Sequence, residues 1–237
     1  MRPISLSPRL RSVAELVPPG ARLADVGTDH AYLPVWLLQQ NIIPGAIVSD
    51  LREGPLQRAR STAARYGLED RLSFRLCSGL DQIEPGEVDT VVVAGMGGET
   101  IAAILAAAPW LQAAGYRLIL QPMSAQDDLR VWLSGHGYRI ERECLSREGE
   151  TLYLALFVTP GEMEPLTPAE RCAGRQTQGM RDPLRGDYLT GWIEKTARAV
   201  SGLRRASRPE DTQRLCAMEA RLEALRAMKE EWIQWQR

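Results

Sequence analysis

The sequence predicts an α/β fold: a mostly parallel sheet covered by helices on both faces, closed by an antiparallel hairpin and followed by a helical appendage. Three observations carry this. Short apolar runs alternate with amphipathic segments between residues 22 and 134, the rhythm of strand–helix crossovers. That rhythm breaks at 138–145 and 150–158, two strand-like runs joined by Ser146-Arg147-Glu148-Gly149, which read as a hairpin. Beyond Pro160-Gly161 strand patterns stop, and apolar residues recur at spacings of three and four.

The elements follow in order. Ser7-Pro8 reads as an N-cap with proline at the first helical position. Leu10, Val13, Ala14 and Val17 give that helix its apolar stripe, and Pro18-Pro19-Gly20 stops it. Strands are expected at 22–26, 46–50, 72–76, 89–94 and 117–121, and helices at 31–40, 53–66, 98–107 and 125–134. The boundary at Pro160-Gly161, reinforced by Pro165 and Pro168, separates a sheet domain, 1–160, from a helical domain, 161–237. In the latter, Leu215, Met218, Leu222, Leu225, Met228, Trp232 and Trp235 form an a/d seam. Leu189, Trp192, Ile193, Thr196, Val200 and Leu203 form a weaker stripe, with Ser207-Arg208-Pro209 between the two. Residues 187–236 are expected to pair as an antiparallel coiled coil that reverses at 205–210. Such a seam closes within one chain or between two; a monomer is expected, with a coiled-coil dimer as the alternative.

Composition narrows the class. The 237 residues are 44% hydrophobic, enough for one sizeable core plus an appendage. The net charge of -1 supplies no global field for nucleic acid, so any RNA surface must be a local patch. Cys77, Cys144, Cys172 and Cys216 are dispersed, none in CxxC, and His30 and His136 are the two histidines. No metal site is expected, and the cysteines suit a reducing cytoplasm. The N-terminus lacks the apolar run of a signal peptide, and no stretch is long enough to span a membrane.

Chemistry gathers at the strand ends. Asp25-Val26-Gly27 lies where the first strand meets its helix, and Gly27 permits a tight turn and a close ligand. Thr28, Asp29 and His30 complete that turn. Asp50, with Leu51, ends the second strand; its carboxylate either accepts two ribose hydroxyls or caps the next helix. Cys77-Ser78-Gly79-Leu80 follows the third strand, where an adenine edge would lie. Ala94-Gly95-Met96-Gly97-Gly98 follows the fourth, and its glycines are expected to form a backbone wall around the methionine end of a cofactor. A parallel sheet ending in a reversed hairpin is the layout of class I methyltransferases, so S-adenosyl-L-methionine (SAM) is the expected ligand.

Asp25-Val-Gly-Thr-Asp-His-Ala-Tyr-Leu-Pro34, Ala94-Gly-Met-Gly-Gly98 and Leu120-Gln-Pro122 together resemble the bacterial TrmK family. The resemblance runs from about residue 5 to the C-terminus and includes Leu6-Ser7-x-Arg9-Leu10. It implies methylation of N1 of adenine 22 in tRNA. Two positions depart from the family pattern. Ser78 replaces an aspartate that binds the adenine amino group of SAM, and Met123 replaces an asparagine beside the target base.

On this reading Asp29 accepts from the target's amino group, stabilises the cationic product or touches the cofactor's amino group; alternatively it caps the following helix. His30 hydrogen-bonds cofactor or base, or completes the turn. Tyr32 stacks on a base or packs in the core. Met123 packs against a base face. Arg9, Arg11, Arg52 and Arg58 contact phosphates or stand as solvated surface charges. Two other functions remain alongside: methylation of a different nucleic-acid target, or weakly active SAM and RNA binding.

Overall fold

In the computed structural model, residues 4–206 and 211–236 are described. The chain divides into two units, Met1–Met163 and Glu164–Arg237. The first holds seven strands: β1 (Leu23–Val26), β2 (Ala46–Asp50), β3 (Leu72–Leu76), β4 (Thr90–Gly97), β5 (Arg117–Ser124), β6 (Tyr138–Glu148) and β7 (Thr151–Pro160). They form one sheet in the order β3-β2-β1-β4-β5-β7-β6. The first five are parallel, and β7 runs antiparallel to both β5 and β6. Its helices are α1 (Pro8–Ala14), α2 (Tyr32–Gln39), α3 (Glu53–Tyr66), α4 (Gly98–Ala107) and α5 (Gln126–Gly135).

The period of two along each strand sorts the apolar residues onto two faces. Leu23, Val48, Val92 and Ile119 pack with Val13 of α1, Val35 and Leu37 of α2, and Leu56 and Ala59 of α3. Ala24, Val91, Val93, Leu118 and Leu120 pack with Ile101 and Leu105 of α4 and Leu129 and Leu133 of α5. Strands buried on both faces are therefore continuous apolar runs rather than alternating ones, as β1 shows.

Three boundaries differ from the sequence reading. The hairpin turns at Gly149-Glu150, because Ser146, Arg147 and Glu148 pair with Tyr153, Leu152 and Thr151 as strand residues. Glycine at φ +56° comes first in this two-residue loop. β4 and β5 also run on, to Gly97 and Ser124, with an irregular register after Ala94. The glycine run is thus a bulged strand end for most of its length.

Helix α1 is short, and long-range partners hold it. Ser7 caps it by accepting from the Leu10 N–H, with Pro8 in the first turn. The Glu148 carboxylate on β6 accepts from the Arg9 N–H at 2.8 Å, and Ser12 Oγ meets Ser146 Oγ at 3.3 Å. On the other face, fully buried Arg130 of α5 makes a two-pronged pair with Glu143 of β6, at 2.9 and 2.7 Å. A buried arginine left without its carboxylate is costly, so the pair fixes α5 against the hairpin.

The second unit comprises α6 (Pro168–Ala173), α7 (Arg185–Ala206) and α8 (Thr212–Trp235). Arg204 pairs with Glu219 and Thr190 with Lys229, so α7 and α8 run antiparallel. Leu189, Trp192, Thr196 and Val200 face inward, as do Leu222, Leu225 and Trp232. α6 also packs against α8, which makes this a three-helix unit. The expected separator, residues 207–209, lies outside the described residues, as does most of the expected reversal. α6 carries a Thr167–Glu170 capping box and Pro168 in its first turn. Arg185 donates to the Ala173 and Gly174 carbonyls at its C-terminal end. Among the described residues no helix is long and apolar enough to cross a membrane.

Gly98 opens α4 against the β5–α5 turn, where a Cβ would stand 2.3 Å from the Ala125 carbonyl oxygen. Gly98→Ala is expected to destabilise the protein by roughly 1–3 kcal/mol in urea unfolding. Gly135→Ala, which meets nothing within 4 Å, is expected to change stability by less than about 0.5 kcal/mol.

Candidate functional site

β1 and β4 are neighbours, yet the chain leaves β1 towards β2 on one side and enters β4 on the other. Their following loops diverge and leave a crevice at the carboxyl ends, the position where open α/β sheets bind ligands. A pocket of about 350 Å³ lies here. Arg9 and Leu10 of α1, Asp25 of β1, residues 27–33 and Ala94-Gly95 of β4 line it.

The turn after β1 is pinned by its backbone. The Gly27 and Thr28 N–H groups both donate to the Ser49 carbonyl at the end of β2, at 2.8 and 3.1 Å. Gly27 has φ +74°, and a Cβ there would collide with the terminal methyl of Met96 at 1.9 Å. Thr28 Oγ1 accepts from the Ala31 N–H at 3.1 Å, and its hydroxyl donates to Asp25. Asp25 is buried and makes no ion pair among the described residues. Burial pushes its carboxyl up to about 6, against the opposing Thr28 hydrogen bond.

Asp29, His30 and Tyr32 stand at the rim. Asp29 does not cap α2, whose N-cap, Ala31, makes no side-chain cap bond. Its carboxylate accepts from Arg58 of α3, through Nε at 2.9 Å and through Nη2, and lies 3.5 Å from His30 Nε2. The His30 ring stacks on Tyr32 with centroids 4.9 Å apart and planes 6° apart. Tyr32 is 45% exposed. An open aromatic surface thus sits beside a carboxylate that Arg58 holds in place.

The ends of β2 and β3 continue this edge. Ser49 Oγ donates to the Gly79 carbonyl at 3.2 Å, and the Cys77 N–H to the Asp50 carbonyl at 3.0 Å. Asp50 is not the cap of α3, whose N-cap, Arg52, forms no side-chain cap bond. Instead Asp50 Oδ1 accepts from the Arg52 N–H at 2.8 Å. Leu51 is exposed at the end of β2, as is Ser78 after β3, whereas Leu80 turns into the core behind α4.

The glycine run does not form the expected three-glycine wall. Gly95 lines the pocket, but Gly97 faces Ser124 Oγ and Gly98 the Ala125 carbonyl. The last two permit close packing of β4 and α4 on the β5–α5 turn. Gln121 of β5, unassigned by the sequence reading, is the hidden member of the site. It is fully buried, and its Oε1 accepts from Arg9 Nη1 at 2.7 Å and the Gly95 N–H at 3.0 Å. Its Nε2 donates to the Pro122 carbonyl and reaches the Met123 sulfur at 3.6 Å. The signal was an amide inside an apolar strand, which needs partners wherever it is buried. Met123 is 48% exposed beyond it. Arg11 lies over the Trp36 ring at 4.8 Å, and Arg52 projects outward. Among the described residues no cluster of three or more His, Cys, Asp or Glu side chains is placed to hold a metal ion.

A methyltransferase-domain family model matches residues 6–156. The chain is 32% identical over 232 residues to the tRNA (adenine(22)-N(1))-methyltransferase of Bacillus subtilis, covering 95% of this chain and 98% of that one. The crystal structure of the B. subtilis m1A22 tRNA methyltransferase TrmK superposes with a TM-score of 0.86 at 30% identity, covering 95% and 99% of the two chains. Streptococcus pneumoniae Sp1610 in complex with S-adenosyl-L-methionine gives 0.79 at 33%, covering 95% and 100%.

Asp25 makes stability depend on pH. Its carboxyl holds a proton to higher pH folded than unfolded, so the folded state binds more protons between about pH 4 and 6. Stability contributed by the protonated form is therefore lost as pH rises through that window. Asp25→Asn is expected to be more stable than the parent at pH 7.5, by on the order of 3 kcal/mol, and nearly equal to it at pH 4. Denaturant unfolding of both proteins at the two pH values checks this.

Proposed function

Because the chain belongs to the TrmK family of tRNA (adenine(22)-N(1))-methyltransferases, we propose that it transfers the methyl group of SAM to N1 of adenine 22 in tRNA. One observation carries the reading: a pocket at the β1–β4 switch point opens beside the exposed His30–Tyr32 stack. SAM supplies an electrophilic methyl group on a sulfonium. The residues fit such a ligand, since Asp25 is a buried carboxylate without a cation in a pocket open to a positively charged group. Asp25, Gly27, Thr28, His30, Gly95 and Met96 would hold its methionine end. Asp50, Leu51, Ser78 and Gly79 would hold its nucleoside.

The target's N1 attacks with its ring lone pair. The new C–N bond forms as the S–C bond breaks, and that electron pair returns to sulfur. No proton leaves before attack, so the protein's task is orientation and charge stabilisation. Tyr32, backed by His30, offers a stacking face to the flipped base. Asp29, held by Arg58, accepts from the exocyclic amino group and faces the cationic product. Met123 packs on the opposite side of the base. Arg11 and Arg52 project towards phosphates, and residues 161–237 act as a positioning arm for the tRNA. The enzyme is read as a monomer working in the cytoplasm.

Labelled SAM incubated with unmodified tRNA tests this by nucleoside analysis. N1-methyladenosine is expected, and it should vanish from a transcript with guanosine at position 22. A different methylated nucleoside would redirect the reading to another target, and SAM binding without transfer would reduce the protein to a binding module. Asp29→Ala is expected to lower kcat roughly 10²-fold with little change in SAM affinity; near-normal turnover removes Asp29 from the chemistry. Met123→Asn should preserve or raise adenine methylation.

A further inference from the structure

Arg9 reads in the sequence as a phosphate contact, yet the structure builds it into the pocket wall. Its N–H is fixed by Glu148 at 2.8 Å. Its guanidinium is aimed by the buried Gln121 oxygen at 2.7 Å and lies over the Tyr153 ring at 5.8 Å. A Cβ on Gly95 would stand 3.7 Å from Nη1, an ordinary contact distance, so the guanidinium lies close against the β4 end. Arg52 presents the contrast, with 80% of its side chain exposed.

The partner that aims Arg9 is neutral. An amide takes one of the five guanidinium N–H donors and none of its charge. Arg9 makes no ion pair within 4 Å among the described residues, although its charge helps hold the Glu148 carboxyl below the usual carboxylate range. Asp25, in the wall of the same pocket, makes none either. Arg9 and Asp25 thus face the pocket without pairing with each other, while Asp29, the other carboxylate in its lining, is already held by Arg58. That arrangement complements a zwitterion, and the methionine end of SAM is an α-amino acid. A guanidinium suits its planar carboxylate, as a carboxylate suits its ammonium.

We propose that Arg9 is a specificity-determining residue that binds the cofactor's α-carboxylate, with Asp25 taking the α-ammonium and Gln121 acting as the positioning residue for Arg9. This rests on the SAM reading above. It separates Arg9 from the phosphate-contacting arginines and makes α1 part of the cofactor site.

Titration calorimetry on the full chain tests it with three probes. S-adenosylhomocysteine carries both charged groups, its decarboxylated analogue only the ammonium, and 5′-methylthioadenosine neither. The parent is expected to prefer S-adenosylhomocysteine to the decarboxylated analogue by about 10- to 100-fold. Arg9→Gln should erase that preference while leaving the decarboxylated analogue and 5′-methylthioadenosine within about 2-fold of the parent. Arg9→Lys, which keeps the charge but not the fork, should fall between. Gln121→Met should reduce the ratio of the two affinities, a change that a general loss of stability would not produce. A parent that binds S-adenosylhomocysteine and its decarboxylated analogue equally overturns the assignment, whatever the variants do. So does Arg9→Gln with an unchanged ratio, and if that variant instead loses tRNA affinity, Arg9 returns to the phosphates. A parent that binds none of the three probes overturns the SAM reading itself.

Discussion

The site depends on a buried amide. Gln121 sits inside an apolar strand, where an unpaired polar group would cost on the order of 1–3 kcal/mol. The fold meets that demand with donors from two other elements, Arg9 of α1 and the Gly95 N–H of β4. One oxygen thereby fixes the position of the N-terminal helix and the shape of the β4 end. Its nitrogen reaches past Pro122 to Met123 on the side assigned to the base. The two walls of the proposed reaction space are linked through one side chain.

Charge is distributed unevenly around this point. Asp29 and Arg58 pair in the open, where an ion pair contributes about 0–1 kcal/mol to stability. The value of that contact is therefore orientation of a carboxylate rather than stability. Asp25 lies at the other extreme, buried without a counter-charge and costly to ionise. A ligand cation would relieve this cost, which is how a destabilising residue becomes a source of affinity. Arg130 is buried as deeply, but Glu143 answers it with two hydrogen bonds, so it serves the scaffold.

Much of this was legible in the sequence, for reasons that differ by element. Strands such as Val91–Val93 are buried on both faces, and such runs announce themselves without help from the fold. The turn after β1 was legible because Gly27 and Asp25 are local demands of a tight turn and a ligand. The β4 end was misread because its glycines look like a loop, while pairing with β5 holds it as strand. The hairpin was centred too early because polar Ser146-Arg147-Glu148 resembles a loop, yet two of those residues are strand side chains gripping α1. α6 went unread because its prolines suggest a linker, although Thr167-Pro168-x-Glu170 is a helix start. Arg9, Gln121 and Asp25 converge from three distant stretches, and no spacing rule expresses such a meeting.

The grip of the hairpin on α1 also orders events in time. Arg9 and Glu148 are 139 residues apart, so the last residue of β6, which anchors the first helix, emerges from the ribosome long after it. The strands that carry Asp25, Asp50 and Gly95 are made earlier and form the crevice, but its remaining wall waits for the hairpin. A growing chain therefore possesses the glycine turn well before it possesses an enclosed pocket. Cofactor capture becomes a late event in the life of the polypeptide, coupled to completion of the sheet rather than to the synthesis of the motif that names the family.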